Sequence, residues 1–151
     1  MKTFSREADR AEILDRLRRL RPDSERRWGR MTPHQAVCHL ADACRMMLGE
    51  RAVTPTGNLL QHTLIKWLAL YAPLAWPPGV PTSVELDQAR CAASGRSFAD
   101  DVAALESLID TVGRERRTQW PRHPIFGAMS ERDWFRWAYL HKDHHLRQFG
   151  V

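Results

Sequence analysis

The sequence predicts an all-α protein, a four-helix bundle with an additional helical insertion between the second and third long helices. Four long segments repeat apolar residues at helical spacing, and a serine or threonine that can cap a helix precedes each of them. Convincing alternation of polar and apolar residues, which would indicate strands, is absent. The chain has 151 residues, 43% of them hydrophobic, so we expect residues 1–151 to form a single domain.

The first two long helices are predicted on either side of a polar connection. The first should run from about Ser5 to Leu20, because Ser5 can cap it and leucines at helical spacing form an apolar stripe. The second should start at Thr32, which matches a capping box with Gln35 three residues later, and should reach about Leu48. Small and flexible side chains on its inward face leave space in the core around one polar residue.

The segment Leu59–Trp76 does not fit a plain bundle. It is rich in Leu, Trp and Tyr, but Pro73 interrupts it, so it lacks the roughly 20 continuous apolar residues of a transmembrane helix. We expect an inserted helix that covers one end of the bundle or forms a dimer contact. An interfacial membrane helix is the less favoured alternative, because the apolar residues are not segregated from a strongly basic face.

The other two long helices lie in the second half of the chain. The third should start near Ser97, with Asp100 three residues later. The segment Trp120–Met129 is too rich in proline and glycine for a helix and is expected to form an ordered loop. The last helix should start at Ser130, with Asp133 completing its cap.

The positive charge of the chain does not indicate a nucleic-acid partner. The formal net charge is +5, but basic residues are spread along the chain, and the densest cluster, Arg16 to Arg30, lies on and just after the first helix. Nucleic-acid-binding proteins gather basic residues on a groove-facing element with stacking aromatics, and no such motif is recognisable here. We therefore expect neither nucleic acid nor membrane as a partner.

The cysteines and the N-terminus predict a cytoplasmic protein. Cys38, Cys44 and Cys91 are odd in number and lack a C-x-x-C spacing, which is not the pattern of a disulfide framework. The first residues carry charge and have no apolar stretch of the kind found in secretory leaders. A reducing cytoplasm is the expected compartment.

Histidines of the second and last helices are candidate metal ligands. His141 and His145 are four residues apart, a spacing that stacks two imidazoles on one face of a helix. Two histidines bind a metal weakly, so a third ligand is needed, and His39 in the second helix is the best candidate. On that helix either His39 or Leu40 faces inward. His144 points about 100° away from His145 and is expected at the rim of the site.

Three imidazoles would leave one coordination position open, as in catalytic metal sites. An ion there could lower the pKa of water or of a thiol and create a nucleophile without a strong protein base. Asp42 and Gln148 are candidates to hydrogen-bond the metal-binding histidines and fix their orientation. Arg147 or Gln148 is a candidate to contact substrate. Imidazole ligands suit several first-row ions, so zinc, nickel, manganese and iron all remain candidates.

Two stretches resemble the DinB/YfiT-like superfamily. They are W-G-R-M-T-P-H-Q-A-V-C-H-L-A-D, from Trp28 to Asp42, and the closing H-P-I-F-G-A-M-S-E-R-D-W…H-K-D-H-H-L-R-Q-F-G-V. The closing stretch resembles a branch of uncharacterised domains that end in H-x-x-H-H-L-R-Q-F-G. The resemblance implies a four-helix bundle, often dimeric, with a divalent metal on three histidines, which by motif are His39, His141 and His145.

The resemblance implies a range of activities. Some relatives are metal-dependent transferases that act on low-molecular-weight thiols, and others are assigned only as hydrolases. The chain departs from the commoner H-R-G-Q ending with its own H-L-R-Q at 145–148, and the inserted segment could reshape the pocket. We therefore expect a metal-dependent enzyme with a small-molecule substrate, and a low-molecular-weight thiol is the first candidate. The alternative is a non-catalytic binding or dimerisation module with structural or vestigial histidines.

Overall fold

The computed structural model describes residues 1–78 and 95–151, and helices make up its regular structure. Among these residues there is no β-strand, only an isolated bridge between His123 and Gly127. The prediction of an all-α protein is therefore confirmed. The helices are α1 (Glu7–Arg19), α2 (Pro33–Met47), a π-helical turn (Gln61–Ile65) that leads into α3 (Lys66–Tyr71), α4 (Phe98–Arg114) and α5 (Glu131–Gln148).

The four long helices pack around one apolar core. α1 and α2 each pack against both α4 and α5, and every long helix contributes fully buried side chains, such as Ile13, Val37, Ile109 and Trp134. Burying an aliphatic or aromatic side chain of this size stabilises the fold by about 1.5–3 kcal/mol. Because α5 contacts both α1 and α2, its inward face is enclosed along most of its length.

Capping boxes fix where three of the long helices begin. The side chains of Thr32, Ser97 and Ser130 each accept a hydrogen bond from the backbone N–H three residues later, and the residue at that position returns a bond to the cap. These three predicted helix starts are confirmed. The caps of α2 and α5 matter for the site because they fix the two helices that hold the candidate ligands.

The start of α1 differs from the prediction. The helix begins at Glu7, its N-cap is Arg6, and no side chain caps it. The predicted cap, Ser5, instead lies in a local turn in which its backbone N–H donates to the hydroxyl of Thr3. The prediction of Ser5 as the cap was therefore wrong: the helix starts one residue later, and the Ser5 hydroxyl lies 3.3 Å from the Thr3 hydroxyl instead.

The inserted segment packs on α5. Helix α3 ends at Tyr71, two residues before Pro73, as expected from a proline that cannot continue a helix. The Tyr71 hydroxyl hydrogen-bonds the Asp133 carboxylate, and the Arg136 guanidinium donates to the Leu70 carbonyl at 2.8 Å. These bonds join the end of α3 to the first two turns of α5.

The outer face of this segment is apolar and exposed. None of the helices in the described part of the chain is both long and apolar enough to cross a bilayer. A contiguous run of large exposed apolar side chains on a folded protein typically marks a contact surface. Its exposed members are Leu59, Leu60, Leu64, Ile65, Trp67, Leu68 and Leu74.

A buried histidine organises the loop before α5. The Nδ1 atom of His123 accepts hydrogen bonds from the backbone N–H groups of Ile125 and Phe126, both at 3.1 Å. Its ring stacks on Phe126 and meets the edge of Trp137 at 5.0 Å. Burial lowers the pKa of His123 to about 3, so the ring is neutral in the folded protein near neutral pH. The expected loop is present, and His123 is part of its core.

His123 should make folding stability sensitive to acid. Its pKa falls from 6.5 to about 3 on folding, so the unfolded chain takes up the proton first. Stability should be complete above pH 6.5 and decrease below it, by up to about 1.4 kcal/mol per pH unit from this group. His123→Asn keeps an acceptor near Nδ1 but does not titrate. We expect a shallower decline of the urea-derived unfolding free energy between pH 6.5 and pH 4.5.

The control for that experiment is His62→Asn, at a half-buried position in the π-helical turn, which should decline as steeply as the wild type. Other buried histidines add to the slope in both proteins, so the comparison rests on the difference between the variants. Equal slopes for His123→Asn and the wild type would contradict a neutral, buried His123.

Candidate metal centre

Helices α2 and α5 bring His39, His141 and His145 together. The three ring centroids form a nearly equilateral triangle, with sides of 4.9, 4.8 and 4.9 Å. One nitrogen from each ring can be chosen so that all three lie within 4.8 Å of one another. The residues selected by spacing thus form one cluster, although they come from helices about a hundred positions apart in the chain.

The cluster is buried, with 3%, 8% and 9% of His39, His141 and His145 exposed. Desolvation by burial, followed by the neighbouring histidines, holds the pKa values of His141 and His145 well below their usual range. Both rings are therefore neutral near neutral pH. A neutral imidazole has a nitrogen lone pair, which is the form that binds a metal ion.

The distances in the cluster suit a shared ion. The Nε2 atoms of His39 and His141 are 3.1 Å apart. Two ligands held about 2.0–2.1 Å from a tetrahedral ion would have nitrogens roughly 3.3 Å apart. The same separation also suits a direct hydrogen bond in which one ring donates to the other. The three imidazoles and their spacing are thus compatible with a bound metal ion. The 3.1 Å distance between His39 and His141 by itself fits either a shared ion or a direct hydrogen bond.

Gln148 fixes the orientation of His145. The Nδ1 atom of His145 lies 3.2 Å from the Gln148 amide oxygen, and the Gln148 amide nitrogen donates to the Trp28 carbonyl at 2.8 Å. Because the amide oxygen can only accept, Nδ1 of His145 carries the proton and Nε2 has the free lone pair. Gly29 leaves room for this bridge, since a Cβ there would stand 2.5 Å from the Gln148 nitrogen.

An aromatic layer supports the cluster. The Trp137 ring stacks on His141, with centroids 4.6 Å apart and planes 15° apart. The Trp76 ring lies 6.3 Å from His141 on another side. The spacing of four residues between Trp137 and His141 was a local signal of the stack. No local signal marks Trp76, because its contact joins distant parts of the chain.

His144 lies at the edge of the cluster, outside the three rings, and its side chain is buried. Its ring lies 6.1 Å from both Trp28 and Trp76. Burial, followed by the charge of Arg147, lowers the pKa of His144. His144 therefore packs between two tryptophans at the edge of the histidine cluster.

The other two candidate site residues are engaged in ion pairs. Asp42 binds Arg45 at 2.9 Å and Arg51 at 2.7 Å. Arg147 binds Asp143 at 2.9 Å on the same turn of α5. No described contact joins Asp42 or Arg147 to the histidine cluster, so the geometry supports the orienting role of Gln148 and gives none to these two.

A second group of potential ligands contains His34, Cys38 and Asp101. Asp101 already binds His34 and Arg96, each at 2.8 Å. The Cys38 Sγ atom lies 3.6 Å from an Asp101 carboxylate oxygen. Cys44 is a free buried thiol, and Cys91 lies outside the described residues. This group is therefore better described as an ion-paired cluster than as a metal site.

A groove in the described part of the chain lies away from the histidine cluster. It has a volume of about 580 Å³ and runs between α1 and α4. An ion pair of 2.9 Å between Arg18 and Glu106 lies at this groove, and charged side chains line most of it. The groove contains no cluster of neutral or nucleophilic groups comparable with the histidines. The chemistry of the described residues is therefore concentrated between α2 and α5.

Comparison with known proteins gives one match. No curated protein and no solved structure matches the chain. A protein family described as "Protein of unknown function (DUF1569)" matches residues 5–150, a range that includes all the helices and the three clustered histidines. The chain therefore belongs to the DUF1569 family.

Proposed function

We propose that this protein is a divalent-metal-dependent enzyme that activates a thiol or water at a three-histidine site. The observation that carries the proposal is the convergence of three buried imidazoles, His39, His141 and His145, with donor nitrogens within 4.8 Å of one another. When bound, an ion with an open position would supply Lewis acidity that lowers the pKa of a thiol or water. Zinc, nickel, manganese and iron are the candidate ions.

The chain's own residues would prepare the site in three ways. Burial keeps His141 and His145 neutral, so protons do not compete with an ion near neutral pH. The Gln148 amide oxygen accepts a hydrogen bond from Nδ1 of His145, so the lone pair on Nε2 is free to bind an ion. The stacked Trp137 ring holds the plane of His141 and excludes water from one of its faces. These contacts pre-orient donors, which favours metal affinity and reaction at a fixed geometry.

We also propose that the fold is a DinB/YfiT-type four-helix bundle. The support is the mutual packing of four long helices and the location of the histidines, one on the second and two on the last. A low-molecular-weight thiol is the preferred substrate class, with transfer to an electrophile as the reaction. Hydrolysis by an activated water is the related alternative.

The second candidate function is a non-catalytic binding or dimerisation module. The observation in its favour is the exposed apolar face of the inserted segment, which includes Leu59, Leu64 and Trp67. A homodimer formed through this face is our proposal for its occupant. A cytoplasmic location remains a prediction.

Metal content tests the site directly. We expect untagged wild-type protein to retain one divalent ion per chain, measured by elemental analysis after incubation with each candidate ion and gel filtration. His141→Ala should lose the ion because two imidazoles bind weakly. The matched control His62→Ala, outside the cluster, should retain it. A wild type that takes up none of the four ions would refute the proposal.

The orienting role of Gln148 predicts a graded effect. Gln148→Leu removes the hydrogen bond to His145, so we expect metal affinity to fall about 10- to 100-fold while saturation still gives one ion per chain. Competition with a chromophoric chelator measures the affinity. Gln119→Leu, at an exposed position, is the control and should bind like the wild type. Unchanged affinity in Gln148→Leu would contradict the orienting role.

Activity separates the enzyme from the module. With a thiol and an electrophile such as monochlorobimane, we expect conjugation by the metal-loaded protein, loss on chelation and return when metal is added. His141→Ala should be inactive. The module hypothesis gains instead if metal has no effect and if Leu64→Ser with Trp67→Ser converts a dimer to a monomer, measured by analytical ultracentrifugation.

A further inference from the structure

A fully buried lysine next to the histidine cluster has no counter-charge among the described residues. Lys142 is 0% exposed, and its Nζ atom has no hydrogen-bond partner among the described residues. Its ammonium faces two aromatic rings, Phe4 at 5.8 Å and Trp137 at 5.5 Å. Aromatic faces attract a cation but replace only part of its hydration, so a buried ammonium of this kind normally has an anionic partner.

The carboxylates on neighbouring elements are already committed. Asp143, the next residue, binds Arg16 at 2.7 Å and Arg147 at 2.9 Å. Asp9 of α1 accepts from the Thr3 backbone and pairs with Lys2 at 3.4 Å. None of these contacts includes the Lys142 ammonium. Neither carboxylate therefore pairs with Lys142 in the described structure.

Lys142 is close enough to the cluster to act on it through space. The Lys142 ammonium and the His141 ring both contact Trp137, at 5.5 Å and 4.6 Å, so they are at most about 10 Å apart. At that distance a charge in a protein interior still changes the binding of another charge by roughly tenfold. Lys142 also lies between His141 and His145 in the sequence of α5.

We propose that Lys142 makes the histidine site selective for ligands that bind through an anionic group. This inference rests on the proposed metal site. The imidazole donors are neutral, so a divalent ion and the nearby ammonium would leave an excess of positive charge in a buried region. An anion in the open position offsets that excess, whereas a neutral ligand does not. The substrate class is then a small molecule with a thiolate or carboxylate, and Lys142 is a specificity-determining residue that acts without touching it.

Cobalt-loaded protein provides the test, because bound cobalt reports ligand binding in its visible spectrum. The probes are azide, an anion, and imidazole, a neutral ligand. Lys142→Met should lower azide affinity roughly tenfold and leave imidazole affinity within about twofold. Lys142→Arg should retain most of the azide affinity because it keeps the charge. Lys66→Met, at a lysine that donates to a backbone carbonyl on the protein surface, should match the wild type for both probes.

The variants should fold, because replacing a buried charge by an apolar side chain of similar size is often neutral or stabilising. Lys142→Gln repeats the test with a polar replacement if the Met variant is insoluble. Equal azide affinity in the wild type and the neutral variants would overturn the inference, as would a parallel loss for azide and imidazole. A wild type that takes up no cobalt would overturn the metal site itself, and this inference with it.

Discussion

The burial of three imidazoles between α2 and α5 is the constraint on which the rest of the site depends. A buried polar nitrogen is costly unless it is bonded, so each ring needs a partner that holds it at a defined angle. His145 obtains its partner from Gln148, which is possible only because Gly29 leaves space for the amide. His141 is fixed by the stack with Trp137. The packing that orients these rings is also what keeps them neutral.

The same region combines features that do not favour stability. Two nitrogens, Nδ1 of His141 and Nζ of Lys142, are buried without a hydrogen-bond partner among the described residues. An apolar side chain at either position would remove that desolvation cost. Unfavourable groups of this kind persist where a function requires them, and here they are adjacent in sequence and both contact Trp137. Their concentration at one place distinguishes this part of α5 from the rest of the core.

Sequence reasoning succeeded where the physics is local. The starts of α2, α4 and α5 follow from capping residues such as Thr32 and Ser130, and the facing of His141 and His145 follows from helical spacing. That His39 joins His141 and His145 could be predicted because only one histidine of α2 lies on the inward face of that helix. Contacts between residues far apart in the chain could not be predicted from the sequence. The contacts of His144 with Trp28 and Trp76 depend on the non-helical segments that contain these tryptophans. The apolar spacing that predicts helices does not predict the path of such segments.

The inserted segment links the apolar surface to the histidine cluster. Its helix is tied to Asp133, the residue that also completes the cap of α5, and its end brings Trp76 to His141 and His144. The Trp76 indole is in turn held by the Ala69 carbonyl at 2.7 Å. A second copy bound to the outer face would restrict the same segment that places Trp76 over the site. Dimerisation and ligand binding would then share one structural element, so the apolar contact surface of a dimeric enzyme could set the shape of its site.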